Sequence, residues 1–109
     1  MNEEYLQLLY SIDHYFLRKN ALIIEWKNGL RVRCTSFTGI CETDTEPDDE
    51  DYIGEYAAAV SDVKVLQQGT DNSVEIYNDC IEISLKCVPE RVCNRFGKVL
   101  WERKNLKQI

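Results

Sequence analysis

The amino-acid sequence predicts an α+β fold, mainly β, with an N-terminal helix packed on a small, strongly bent antiparallel sheet or barrel of about five or six strands. Three observations carry this reading. Apolar residues recur at helical spacing near the start of the chain, the period switches to two after Asn20, and turn dipeptides then punctuate the sequence at short intervals. A length of 109 residues suits one domain spanning 1–109, with its β region at about 21–102.

The helix is expected over about residues 3–17. Tyr5, Leu8, Leu9, Ile12 and Phe16 fall three and four residues apart, which places them on one face. Asn2 is a suitable N-cap and Asn20 a stop. Glu3 and Glu4 at the start, with Arg18 and Lys19 at the end, complement the helix dipole. A lone amphipathic helix of this length is marginal in water, so its apolar stripe needs a sheet to lie on.

That sheet begins with Leu22, Ile24 and Trp26, which alternate with Ile23, Glu25 and Lys27. Asn28-Gly29 comes next, a dipeptide suited to a two-residue type I′ turn. Leu30, Val32 and Cys34 then alternate with Arg31, Arg33 and Thr35, and the strand is expected to continue through Phe37 to Cys41 with a bulge or bend at Gly39. Residues 56–66 mix three alanines with Val60, Val63 and Val65, leaving helix and strand both open, with strand favoured by the turns and short strands downstream. Gly69 to Asn72 reads as a turn, Val74 to Tyr77 as a short strand, and Asn78-Asp79 as a second turn. Ile81, Ile83, Leu85 and Cys87 alternate with polar residues in a further strand closed by Pro89. Val92–Asn94 and Lys98–Trp101 form a last hairpin around Arg95-Phe96-Gly97, leaving a basic tail, 103–109, that is expected to fray.

The order of helix, long bent hairpin, variable loop and further strands resembles the Sm-like and SH3-like small β-barrels over residues 5–102. The Sm pattern places an Asp and an Asn near the end of the second strand for base recognition. Here that region reads Glu42-Thr43-Asp44-Thr45, and Tyr77-Asn78-Asp79-Cys80 stands where the second Sm motif carries Arg-Gly. The resemblance implies a barrel fold and transfers no functional residue; an Sm-like RNA binder would form rings and retain RNA in a salt-sensitive way.

The net charge of −6 is unevenly spread. Residues 1–41 balance at +1, residues 42–79 at −11 and residues 80–109 at +4. The acidic loop 42–55 alone holds eight carboxylates, and Pro47 and Gly54 keep it out of regular structure. Two readings compete for it: a solvated connector, or a docking surface for a basic protein, since dense carboxylates raise association rates and select partner charge. The candidate partner-binding residues are Glu46, Asp48, Asp49, Glu50 and Asp51. Calcium coordination through Asp44, Glu46, Asp48 and Glu50 is disfavoured, because Asp49 occupies the position where a calcium loop needs glycine for its sharp turn.

Other function classes find little to stand on. Arg31, Arg33, Lys98, Arg103, Lys104 and Lys107, with Trp26, Phe96 and Trp101, could serve a nucleic acid, but the −11 segment repels phosphate and the tryptophans fall at core positions. His14, the one histidine, lies just off the helix's apolar face, and no nucleophile–base motif, phosphate loop or zinc signature occurs. No catalytic residue, cofactor or metal is therefore expected. Cys34, Cys41, Cys80, Cys87 and Cys93 are odd in number without a C-x-x-C pair, which predicts free thiols and a cytoplasmic location. The acidic opening argues against a secretory signal, and no apolar run reaches membrane-spanning length. The expectation is a non-catalytic protein–protein interaction module using its acidic loop. The alternative is an immunity- or antitoxin-like inhibitor of a basic, nuclease-type protein, whose phosphate-shaped cleft would accept carboxylates. Self-association through an exposed sheet edge is a further possibility.

Overall fold

The structure, a computed structural model, describes residues 2–16 and 20–109. Helix α1 runs Glu3–Phe16, capped by Asn2, whose Oδ1 accepts the Tyr5 backbone N–H at 3.2 Å. The helix-dipole role expected of Arg18 and Lys19 lies outside the described residues. Tyr5, Leu8, Leu9 and Ile12 are fully buried, as their spacing predicts, and each contributes about 1.5–3 kcal/mol by leaving water. Phe16 stacks on Phe37 with ring centroids 5.5 Å apart, and the Tyr5 hydroxyl donates to the Tyr56 carbonyl at 2.8 Å.

The helix packs on antiparallel sheet in an α+β, mainly β fold, as predicted, with eight strands in two sheets where about five or six in a bent sheet or barrel were expected. The strands are β1 (Leu22–Glu25), β2 (Arg31–Cys34), β3 (Ser36–Glu42), β4 (Tyr56–Ser61), β5 (Lys64–Gln67), β6 (Ile81–Ile83), β7 (Arg91–Asn94) and β8 (Val99–Glu102). One sheet has the order β5-β2-β1-β7-β8 and the other β3-β4-β6. The chain changes sheet twice within a residue or two. Thr35 separates β2 from β3, and Asp62-Val63 separates β4 from β5, with Asp62 in the left-handed region (φ 52°). Asp62 also fastens this corner, accepting the Ser36 hydroxyl at 2.7 Å. The long strand expected from Leu30 to Cys41 is thus two strands in two sheets. Gly39 (φ 92°) bends β3 at a register shift, where the Thr38 side chain bonds the Ala59 backbone in place of the ladder. Within residues 56–66 strand prevails over helix, as favoured, with Tyr56–Ser61 in β4 and the start of β5 from Lys64, broken at Asp62-Val63.

Three local expectations are corrected. The Asn28-Gly29 turn is not type I′: Gly29 alone takes positive φ (91°), its N–H bonds the Trp26 carbonyl at 3.0 Å, and Trp26 N–H bonds the Leu30 carbonyl at 2.9 Å. This is a three-residue loop with a type I turn and a glycine bulge. Asn78-Asp79 does take two positive φ values, closing a miniature hairpin between Tyr77 and Cys80. Val74–Tyr77 forms no strand; the residues before it, Thr70 to Ser73, fold over the β1–β2 turn, and Tyr77 joins only the bridge to Cys80. The strand at Ile81 ends at Ile83, because Ser84–Cys87 reverses in a two-residue turn.

The C-terminal tail is docked, not frayed. Lys104 and Asn105 N–H groups donate to the Glu4 carboxylate (2.6 and 3.1 Å), Leu106 enters the core, and Ile109 N–H bonds the Leu85 carbonyl at 2.9 Å. Those backbone donors hold the Glu4 carboxyl below its ordinary pKa. The tail's charges advertise solvent exposure, whereas its backbone and Leu106 make the tertiary contacts. No described helix is long and apolar enough to cross a membrane.

Candidate functional site

The acidic loop leaves β3 at Glu42 and returns at Tyr56. Its chemistry would favour a loose excursion, yet short side chains pin its base. Thr43 N–H bonds the Glu55 carbonyl at 3.0 Å, and the hydroxyls of Thr43 and Thr45 both donate to the Gly54 carbonyl, at 3.0 Å for Thr45. Gly54 is buried with φ 105°, a conformation that side chains rarely adopt. At the tip, Asp49 Oδ2 accepts the Glu46 N–H at 2.8 Å, Asp49 N–H bonds the Glu46 carbonyl at 2.9 Å, and Tyr52 N–H bonds the Asp49 carbonyl at 3.2 Å. Tyr52 packs against the core, and the Ile53 carbonyl accepts a hydrogen bond from Leu85 N–H at 2.9 Å.

All eight carboxylates of this loop are exposed. Glu46, Asp48, Asp49, Glu50 and Asp51 therefore stand together on one anchored tip. Asp49 differs from the others, since one of its oxygens already closes the turn. Like charges crowd here without a countercharge: the three ion pairs among the described residues, Arg91–Glu25, Arg91–Glu102 and Arg103–Glu90, all lie elsewhere. No three carboxylates, thiols or imidazoles among the described residues converge in a metal-holding geometry.

Beside the loop lies a surface that the sequence did not reveal. Thr38, Cys41, Ala57 and Ala59 line a shallow depression of about 320 Å³ on the β3-β4-β6 sheet, rimmed by Glu42 and Glu82. Small side chains on adjacent strands leave room for a partner's larger ones. The signal available was the run Ala57-Ala58-Ala59, legible as a small-residue patch only once these residues are known to be strand.

The other residues singled out by sequence scatter. Trp26 and Trp101 are buried, as expected, while Arg31 and Arg33 face outward on β2 and Phe96 stands exposed at the tip of the β7–β8 hairpin. His14 is exposed, edge-on to Tyr15 at 5.2 Å. All five cysteines are free thiols. Burial pushes Cys34 up to about 12 and Cys87 up to about 11, so neither is a ready nucleophile at neutral pH.

Fold and surface together define a small α+β, mainly β protein that presents an anchored acidic tip beside a small-residue sheet face. Residues 3–105, nearly the whole chain, match the family model described as cognate immunity protein YxxD, and the chain belongs to that family. No curated protein and no solved structure matches the chain. The Sm-like and SH3-like resemblance is left without support, and the two-sheet order offers it none.

Proposed function

We propose that this protein is a non-catalytic inhibitor that neutralises a cognate toxin by docking its acidic loop, with Glu46, Asp48, Asp49, Glu50 and Asp51 foremost, on a basic surface of that toxin. The family supports the immunity reading. The observation that carries the choice of surface is the anchoring of eight exposed carboxylates on a hydrogen-bonded loop. A pre-ordered charged loop surrenders little conformational entropy on binding, and its field draws an oppositely charged partner at a raised on-rate. The depression floored by Ala57 and Ala59 supplies apolar contact next to that charge. Carboxylates can occupy a cleft shaped for phosphate, which favours a nuclease-type toxin. Five free thiols suit a reducing, cytoplasmic setting.

The test is protection and binding with a D48N/D49N/E50Q/D51N variant, which keeps the turn-closing acceptor at residue 49. Expected is an association rate for the toxin at least about ten-fold lower at low salt, with loss of protection in cells. Full protection and an unchanged rate would remove the loop from the interface.

A further inference from the structure

A groove of about 810 Å³ lies between the β1–β2 turn, the segment Thr70–Val74 and the docked tail. No residue of the acidic loop lines it. Its walls carry Lys27, Lys86, Lys104 and Lys107, all exposed and none within ion-pair distance of a carboxylate among the described residues. Arg103 also lines it but is already committed, its Nε and one terminal nitrogen donating to Glu90 Oε1 at 3.2 and 3.0 Å. Two carboxylates also line it, Asp71 and the already paired Glu90, so the four unpaired cations still outnumber the acids in one concavity of a chain with net charge −6.

A second, independent feature lies in the groove's wall. Trp26 is 5% exposed, and its Nε1–H is the one buried side-chain donor without a hydrogen-bond partner among the described residues. It faces the Cys87 thiol, another lining group, whose thiolate form it would favour, but not in hydrogen-bonding geometry. Because its Nε1 is out of solvent's reach, the indole is part of the groove's wall, and its N–H resonance reports on what binds there.

We propose that this groove binds an acidic segment of the cognate toxin, a second contact separate from the acidic loop. The identity of the occupant as a toxin segment rests on the immunity reading; the chemistry of the groove does not. Carboxylate side chains of that segment meet Lys27, Lys86, Lys104 and Lys107. Val74 and Leu106 give the walls an apolar component that suits the methylenes of glutamate. A phosphate chain fits less well. The guanidinium fork is occupied by Glu90, and the free cations are point charges without the bidentate geometry that suits phosphate.

The experiment is a titration of ¹⁵N-labelled full-length protein with a hexaglutamate peptide in about 50 mM salt, where exposed charges are least screened. Inorganic phosphate and a thymidine decanucleotide serve as competing anions. Expected are saturable shifts at Lys86, Lys107 and the Trp26 indole N–H, with binding at least about ten-fold weaker for K86E/K107E and reduced for K86Q/K107Q. Unchanged circular dichroism of both variants would certify their folding. Absence of saturable shifts, shifts that persist in both variants, or equal binding of phosphate or the oligonucleotide would each overturn the proposal. Loop-dependent protection would survive any of those results, and a loop variant without effect would leave the groove titration standing, so the two readings fail separately.

Discussion

The two hairpins of the larger sheet close with the same turn and meet opposite fates. In the first, Trp26 N–H bonds the Leu30 carbonyl at 2.9 Å and Gly29 takes φ 91°. In the second, Asn94 N–H bonds the Lys98 carbonyl at 2.9 Å and Gly97 takes φ 86°. Each places its asparagine oxygen on nearby backbone: Asn28 on Leu30 N–H, Asn94 on the N–H groups of Phe96 and Lys98. Yet the first turn is clamped. Asn28 Nδ2 donates to Asp71 Oδ1 at 2.9 Å, Thr70 N–H bonds the Asn28 carbonyl at 2.8 Å, and a Cβ at Gly69 would come within 2.6 Å of the Asn28 amide. The second turn is open, with Phe96 80% exposed beneath only the Arg95 guanidinium, 4.7 Å from its ring centroid. Turn geometry is thus a local property, while burial of the turn depends on a segment more than forty residues away.

The largest expected effect separates the two aromatics. Trp26→Ala should lower unfolding free energy by about 3–5 kcal/mol, read from urea denaturation, because it empties a packed site. A loss below about 1 kcal/mol would mean that the clamp does not seal the first hairpin.

The turns themselves should respond alike. Gly29→Ala and Gly97→Ala each force a Cβ into the left-handed region, and each should cost about 1–2 kcal/mol. Neither site is crowded, the nearest atom at Gly29 being the Gln67 amide at 3.6 Å and nothing lying within 4 Å of Gly97. A large difference between the two would show that the clamp, not the backbone, sets the conformation.

Acid should act on the clamped hairpin alone. Hydrogen bonds from Ser73 and Asn28 lower Asp71 to about 2 from an ordinary 3.8. A depressed carboxyl contributes stability that is present above its unfolded pKa and lost as pH falls through its folded one. Amide exchange at Thr70 and Ser73 should therefore accelerate between about pH 4 and pH 2 in the wild type, with no such step in Asp71→Asn. Glu4, lowered by the tail's backbone donors, should release residues 104 and 105 in the acid range below its ordinary 4.5.

The smallest effect is at the open tip. Phe96→Ser should alter stability by no more than about 0.5 kcal/mol, as expected where a side chain touches little. A larger loss would reveal a packing role that the hairpin's exposure does not suggest.

How much of the molecule was legible beforehand obeys the same division. The helix, its Asn2 cap, the β1–β2 and β7–β8 hairpins and the core positions of Trp26 and Trp101 were all readable, because each depends on short-range periodicity or a turn residue. Val74–Tyr77 misled, since only Val74 packs against the core while Ile76 and Tyr77 stay exposed, and no partner strand lies alongside. The acidic loop was visible as charge, but its rigidity came from Thr43, Thr45 and Gly54, residues with no charge to draw attention. The basic groove was invisible: Lys27, Lys86 and Lys107 are distant in sequence and meet only when the tail docks.

By itself the sequence determined the element types, the faces they bury and the bipolar distribution of charge, because those properties arise from side-chain spacing and composition. Tertiary structure alone decided that the strands split into two sheets, that the tail closes on Glu4 and Leu85, and that the cations converge around Trp26. Such contacts join residues tens of positions apart, and no local period encodes which of several sterically allowed partners a backbone donor finally meets.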